Sequence, residues 1–119
     1  MIDLERVRQR YLKDDLPRRL GGLAADLARI SSSARHPGGS EIVATMLEES
    51  QYFIEWTGPA LAQTDPDAAG ELVDMQLMLA MWRKAWHEAQ HSAVQRNLLS
   101  VQAKKWADQV LEFSGLLAE

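Results

Sequence analysis

The chain has 119 residues, 46% of them hydrophobic and 25% charged, with a net charge of −4 and no cysteine. That length and apolar content suit one domain, residues 1–119, built on a single core, and the missing cysteine excludes disulfides, thiolate metal sites and cysteine nucleophiles. No apolar run approaches the ~20 residues of a membrane span, and Met1-Ile2-Asp3-Leu4-Glu5-Arg6 lacks the layout of a signal peptide, so no membrane span is expected and the expected setting is cytoplasmic.

Apolar residues recur at helical spacing from end to end, which predicts an all-α chain. Asp3 is placed to cap a short first helix carrying Leu4, Val7 and Tyr11 on one face, ending near Asp14 because Leu16 precedes a proline. Asp15 or Leu16 starts the second helix, with Pro17 in its first turn and Leu16, Leu20, Leu23, Leu27 and Ile30 as its seam. Gly21 and Gly22 each cost a helix about 1 kcal/mol against alanine. With Ala24, Ala25 and Ala28 they read as a small-residue surface where another helix backbone comes close, in preference to a ligand or phosphate site. His36-Pro37-Gly38-Gly39 breaks the chain, and Ser40 is the expected cap of a third helix. Its inner face is Ile42, Val43, Met46, Leu47, Ser50, Phe53 and Ile54, its outer face Glu41, Glu48, Glu49, Gln51 and Glu55, and Thr57-Gly58-Pro59 is its expected end.

Asp65-Pro66 opens a fourth helix, leaving Gly58 to Asp65 as the longest expected irregular stretch. That helix is apolar on two sides: Leu72, Met75, Leu79, Trp82, Trp86, Ala89 and Ala93 on one, Val73, Leu77, Ala80 and Met81 on the other. A helix of this kind is central in its domain or shared between subunits. The second strip, with Lys84, is therefore expected to form a homodimer contact, in which Lys84 meets an acid such as Glu88 of a second copy, or to seat the first helix. Ser92-Ala93-Val94-Gln95 has capping-box spacing and starts a fifth helix with the seam Leu99, Ala103, Trp106, Val110, Phe113 and Leu117. Short turns between these elements predict an antiparallel bundle of four main helices plus a short N-terminal one.

Arg10-Tyr11-Leu12, the run from Leu16 to Ala25, Phe53-Ile54-Glu55-Trp56-Thr57 and Ser114-Gly115-Leu116-Leu117 together resemble a family of small, uncharacterised all-α cyanobacterial proteins. The resemblance would cover most of the chain and implies a cytoplasmic bacterial setting. It carries no activity onto individual residues.

Charge is segregated along the chain. Residues 1–36 hold eight Arg/Lys and five Asp/Glu, residues 37–82 eight acids and no base, and residues 83–119 five bases and four acids. The layout suits helices that pair through complementary charge, or plain solvated faces, and disfavours a nucleic-acid binder, whose bases should gather on one face.

His87-Glu88-Ala89-Gln90-His91 spells H-E-x-x-H, in which two imidazoles one helical turn apart hold Zn²⁺ and the glutamate polarises a bound water. The longer motif fails, since its glycine falls on Val94 and its third histidine on Asn97. The match is read as chance, with no catalytic residue, no cofactor and no peptidase activity expected. In the bundle, His36, His87 and His91 are expected at one end, which keeps a three-imidazole zinc site as an alternative. Glu88-Ala89-Gln90-His91 lacks the second E-x-x-H of di-iron bundles. Ser31-Ser32-Ser33 has no nucleophile elbow around it. Trp82 and Trp86, one turn apart, read as core, with a wall for a flat aromatic ligand or pigment as the alternative. The function expected is a non-enzymatic protein–protein interaction or assembly module whose partner is a second copy or another protein; the alternative is a small-ligand or metal-binding bundle.

Overall fold

The computed structural model describes residues 3–116. Helices α1 (Leu4–Leu12), α2 (Leu16–Ala34), α3 (Ser40–Thr64), α4 (Pro66–Ala89) and α5 (Ala93–Ser114) form an all-α bundle, with a 3₁₀ turn at Pro37–Gly39. Local chemistry sets most of the helix starts. The side chains of Asp3, Asp15, Asp65 and Ser92 accept from the amides of Arg6, Arg18, Ala68 and Gln95 at 3.1–3.2 Å, each satisfying a donor that a first helical turn leaves open. Pro17 and Pro66 occupy first-turn positions where no amide is missed. α5 ends at Gly115, whose φ of 85° is left-handed backbone suited to glycine.

Two boundaries differ from the expectation. Ser40 does not cap α3: Gly39 stands at the cap, and the Ser40 hydroxyl donates back to the Pro37 carbonyl at 2.9 Å. α3 also runs through Gly58-Pro59 to Thr64, so Gly58–Asp65 is not an irregular stretch. A proline inside a helix loses one amide donor and crowds the carbonyl four residues back. Here Pro59 is exposed, and Leu61 beyond it is 3% exposed, so burial of Leu61 outweighs the local break.

The core is the inward seams of all four long helices: Leu20, Leu23, Leu27 and Ile30 from α2, Val43 and Leu47 from α3, Leu72 and Leu79 from α4, Leu99 and Val110 from α5. Leu117, expected to continue the α5 seam, lies outside the described residues. α2 packs most extensively on α5 and next on α3, and α3 pairs with α4, while α4 and α5 stand farther apart. The wider gap is bridged by side chains, Trp82 Nε1 donating to Gln102 Oε1 at 2.8 Å and Gln109 Nε2 to Glu71 Oε1 at 2.6 Å.

α1 lies against α3, anchored by Tyr11. The Tyr11 ring stacks on Phe53 with centroids 3.9 Å apart, and its hydroxyl bonds to Thr57 Oγ1 at 2.8 Å and donates to the Arg19 carbonyl at 2.7 Å. Arg19 closes the same joint by donating to the carbonyls of Leu12 and Asp14 that α1 leaves open.

The glycines of α2 meet side chains, not the backbone of another helix. A Cβ on Gly21 would meet the tip of Leu116 at 2.6 Å, one on Gly22 the Tyr11 ring at 3.6 Å and Phe53 at 4.0 Å, and Ala25 is exposed. The glycine that backbone approach demands is Gly39, where a Cβ would strike the Ser33 carbonyl. Gly22→Ala is accordingly expected to raise stability by about 1 kcal/mol, through helix propensity and ordinary contact with the two rings. Urea titration of the variant checks this, and a lower midpoint would contradict it.

Candidate interaction surface

The H-E-x-x-H run is not one helical face. α4 ends at Ala89, and His91 lies in the following turn, its amide bonded to the Glu88 carbonyl at 3.2 Å and that of Ser92 to Ala89 at 3.0 Å. His87, Glu88 and His91 are all exposed, as is His36 before the 3₁₀ turn. Among the described residues no three His, Cys, Asp or Glu side chains converge on a point where a metal would sit, so the three histidines do not meet as the bundle topology suggested. Trp82 and Trp86 are 7% and 4% exposed, and the Trp86 indole donates to the Ser40 carbonyl at 3.0 Å. Both rings are core side chains with their N–H groups satisfied inside the chain.

Two features went unread in the sequence. Where α2 crosses α5, the Ser31 hydroxyl donates to the Ser100 carbonyl and the Ser100 hydroxyl to the Ser31 carbonyl, both at 2.7 Å and both buried. Beneath α1, a cleft of about 360 Å³ is lined by Arg10, Tyr11, Arg18, Asp26 and Glu49 among others. Burial first, and the neighbouring Glu49 carboxyl second, push the Asp26 carboxyl up to about 8, against a smaller opposing pull from Arg29. Its protonated form is therefore favoured well above the usual carboxylate range. Glu49, assigned to the outer face of α3, turns in toward α2. Burial raises the Tyr11 hydroxyl as well, and it stays neutral.

The outer face of α4 departs from a closed core, as does that of α5 at Val94, Leu98 and Val101. Val73, Leu77 and Met81 are 59%, 63% and 64% exposed, and Ala80 and Lys84 are exposed between and beyond them. At 100° per residue these five fall within an arc of about 100°. α1, one of the two covers expected for this strip, sits on α3 instead. On one flank the strip opens into an apolar groove of about 480 Å³ between α3 and α4, with buried Ile54, Ala69 and Leu72 and exposed Pro59, Ala62 and Gly70 among its lining. On the other it leads across Met78 and Trp82 to Leu98 of α5, 45% exposed, with Val101 beyond at 69%.

Charge around this face is free for a partner. Among the described residues the ion pairs are Arg83–Glu48 between α4 and α3 at 3.6 Å and Lys104–Asp108 within α5 at 2.8 Å, so Asp74 and Lys84 beside the strip are committed to neither. Most of the charge segregation seen in the sequence is therefore solvated surface, not pairing between helices. Among the described residues no helix is long and apolar enough to cross a membrane. Comparison with protein-family models, with curated proteins and with solved structures gives no match.

Proposed function

We propose that the chain is a non-enzymatic protein–protein interaction or assembly module of the cytoplasm that associates, with itself, through the outer face of α4. One observation carries this reading: Val73, Leu77 and Met81 form a contiguous apolar strip that is more than half exposed, on a chain whose own spare helix is engaged elsewhere. Contiguous apolar surface of this kind, rimmed by polar residues, marks sites of association. Helix α4 supplies it on rigid backbone, which lowers the ordering cost of docking.

Leu77→Glu separates this reading from a folding role. The side chain projects into solvent, so the variant is expected to melt within about 2 °C of the parent. The parent is expected to sediment as a dimer at high concentration and the variant as a monomer. A parent that sediments as a monomer, or a variant that associates as the parent does, would overturn the reading, and a variant melting far below the parent would assign the strip to the fold.

A further inference from the structure

We infer that the α4 face is self-complementary in one register: two copies pair their α4 helices antiparallel about a two-fold axis that crosses the outer face at the height of Leu79, so that Leu77 packs on Met81 of the other copy and Asp74 meets its Lys84. The inference rests on the proposed association through α4. It adds the geometry.

The argument starts from spacing. Leu79 is midway between Leu77 and Met81 and also midway between Asp74 and Lys84. An antiparallel two-fold at that height therefore satisfies the apolar pair and the charged pair together, and symmetry makes each contact twice. All four side chains are exposed. Ala80, also exposed, flanks the axis in both copies, where its methyl lets helices approach to the 8–10 Å of ordinary packing. Val73 falls opposite the exposed Ala85, large against small. Asp74 lies to one side of the strip, within reach of the four-carbon stem of a lysine across the interface.

The competing arrangements fit worse. Pairing Lys84 with Glu88, the acid suggested by sequence alone, moves the axis to Trp86 and sets Leu77 opposite Gln95, past the end of α4 at Ala89, leaving the strip half uncovered. Sliding one copy by a helical turn puts Leu77 on Leu77 and Val73 on Met81, but Lys84 then faces Gly70 and Asp74 faces Ala80, and neither charge finds its opposite. A parallel pairing brings Asp74 beside Asp74 and Lys84 beside Lys84. Electrostatic matching chooses register in such contacts even where it adds little affinity.

Charge exchange and crosslinking test the register. In sedimentation equilibrium at low salt, Asp74→Lys and Lys84→Asp should each weaken the dimer about tenfold, because each substitution sets two like-charged contacts against each other. The double variant Asp74→Lys/Lys84→Asp should recover to within about threefold of the parent. The chain has no cysteine of its own, so single cysteines report geometry cleanly. A mixture of Leu77→Cys and Met81→Cys chains should oxidise to the mixed dimer, whereas Leu77→Cys alone should not crosslink, since only facing positions come within disulfide reach. Self-crosslinking of Leu77→Cys without charge rescue would overturn the register while leaving association through α4 intact. A dimer indifferent to Leu77→Glu would overturn both.

Discussion

Ser100→Leu is expected to destabilise the fold by about 3 kcal/mol, the sum of overpacking and a lost buried hydrogen bond, and to lower the melting temperature by roughly 10 °C or more. At this crossing α2 and α5 are close enough for each serine hydroxyl to donate to the other helix's backbone carbonyl at 2.7 Å, and the two hydroxyl oxygens stand 3.4 Å apart. A branched side chain twice the size of serine's has nowhere to go, since Ser100 is 6% exposed and Ser31 8%. Ser100→Ala removes only the hydroxyl. The Arg35 amide at the end of α2 turns to the Ser33 carbonyl, so the Ser31 carbonyl loses its Ser100 partner, and the cost should be about 1–2 kcal/mol with no overpacking added. The contrast between the two substitutions is the measurement: equal urea midpoints for Ser100→Leu and Ser100→Ala would mean that the crossing has room and that the serines are not what brings the helices together.

The distance between those serines along the chain explains why the crossing was not legible. Helix starts at Asp15, Asp65 and Ser92 depend on side chains within three residues of the amides they cap, so the local pattern suffices. Seams such as Leu20, Leu23, Leu27 and Ile30 are legible for the same reason, one face of a helix being fixed by its own spacing. A close crossing depends on which helices become neighbours. The small-residue signal is strongest locally at Gly21 and Gly22, which face a leucine tip and two aromatic rings. Ser31 and Ser100, with Ala103 and Ala107 near by on α5, carry the same small-residue signal but match no motif until α2 and α5 are placed side by side.

The site was legible in part for a comparable reason. A second apolar strip on α4 is a property of one helix, and Val73, Leu77, Ala80 and Met81 stand on the outer face as their spacing requires. What covers such a strip is not a local property, and α1 turned out to be held on α3 by the Tyr11 stack and its two hydroxyl contacts. H-E-x-x-H failed in the opposite direction: the motif presumes a continuous helix, and the Ser92 cap of α5 forces the turn that takes His91 off α4. Pro59 carries a local penalty that the burial of Leu61 outweighs, a competition that only the assembled bundle decides.

Asp26→Asn is expected to stabilise the protein at pH 8 by on the order of 2 kcal/mol, discounted for water reaching a partly open cleft, and to flatten the dependence of stability on pH. Asp26 is raised from an ordinary value of 3.8 to about 8, so between those values the folded chain keeps a proton that the unfolded chain has released. The folded state binds more protons across that window, and stability must fall as pH rises through it, levelling off above about 8. Below the unfolded value both states are protonated and the contribution vanishes. The groups that face this carboxyl are Glu49 from α3, Arg29 and Arg18 from α2, and Arg10, Tyr11 and Asp14 from α1 and its C-terminal turn. Burial and Glu49 oppose ionisation more strongly than Arg29 favours it. An amide keeps the shape of the protonated acid and cannot ionise, so the variant should match the parent near pH 4, exceed it increasingly toward pH 8, and hold a constant lead beyond. Glu49→Gln should give a weaker version of the same change, since it removes the second cause and leaves the first. Thermal unfolding of parent and variants from pH 4 to pH 9 reads this directly. An Asp26→Asn variant less stable than the parent at pH 8 would mean that the carboxylate is ionised and stabilising in the folded chain, with Arg29 dominating the cleft.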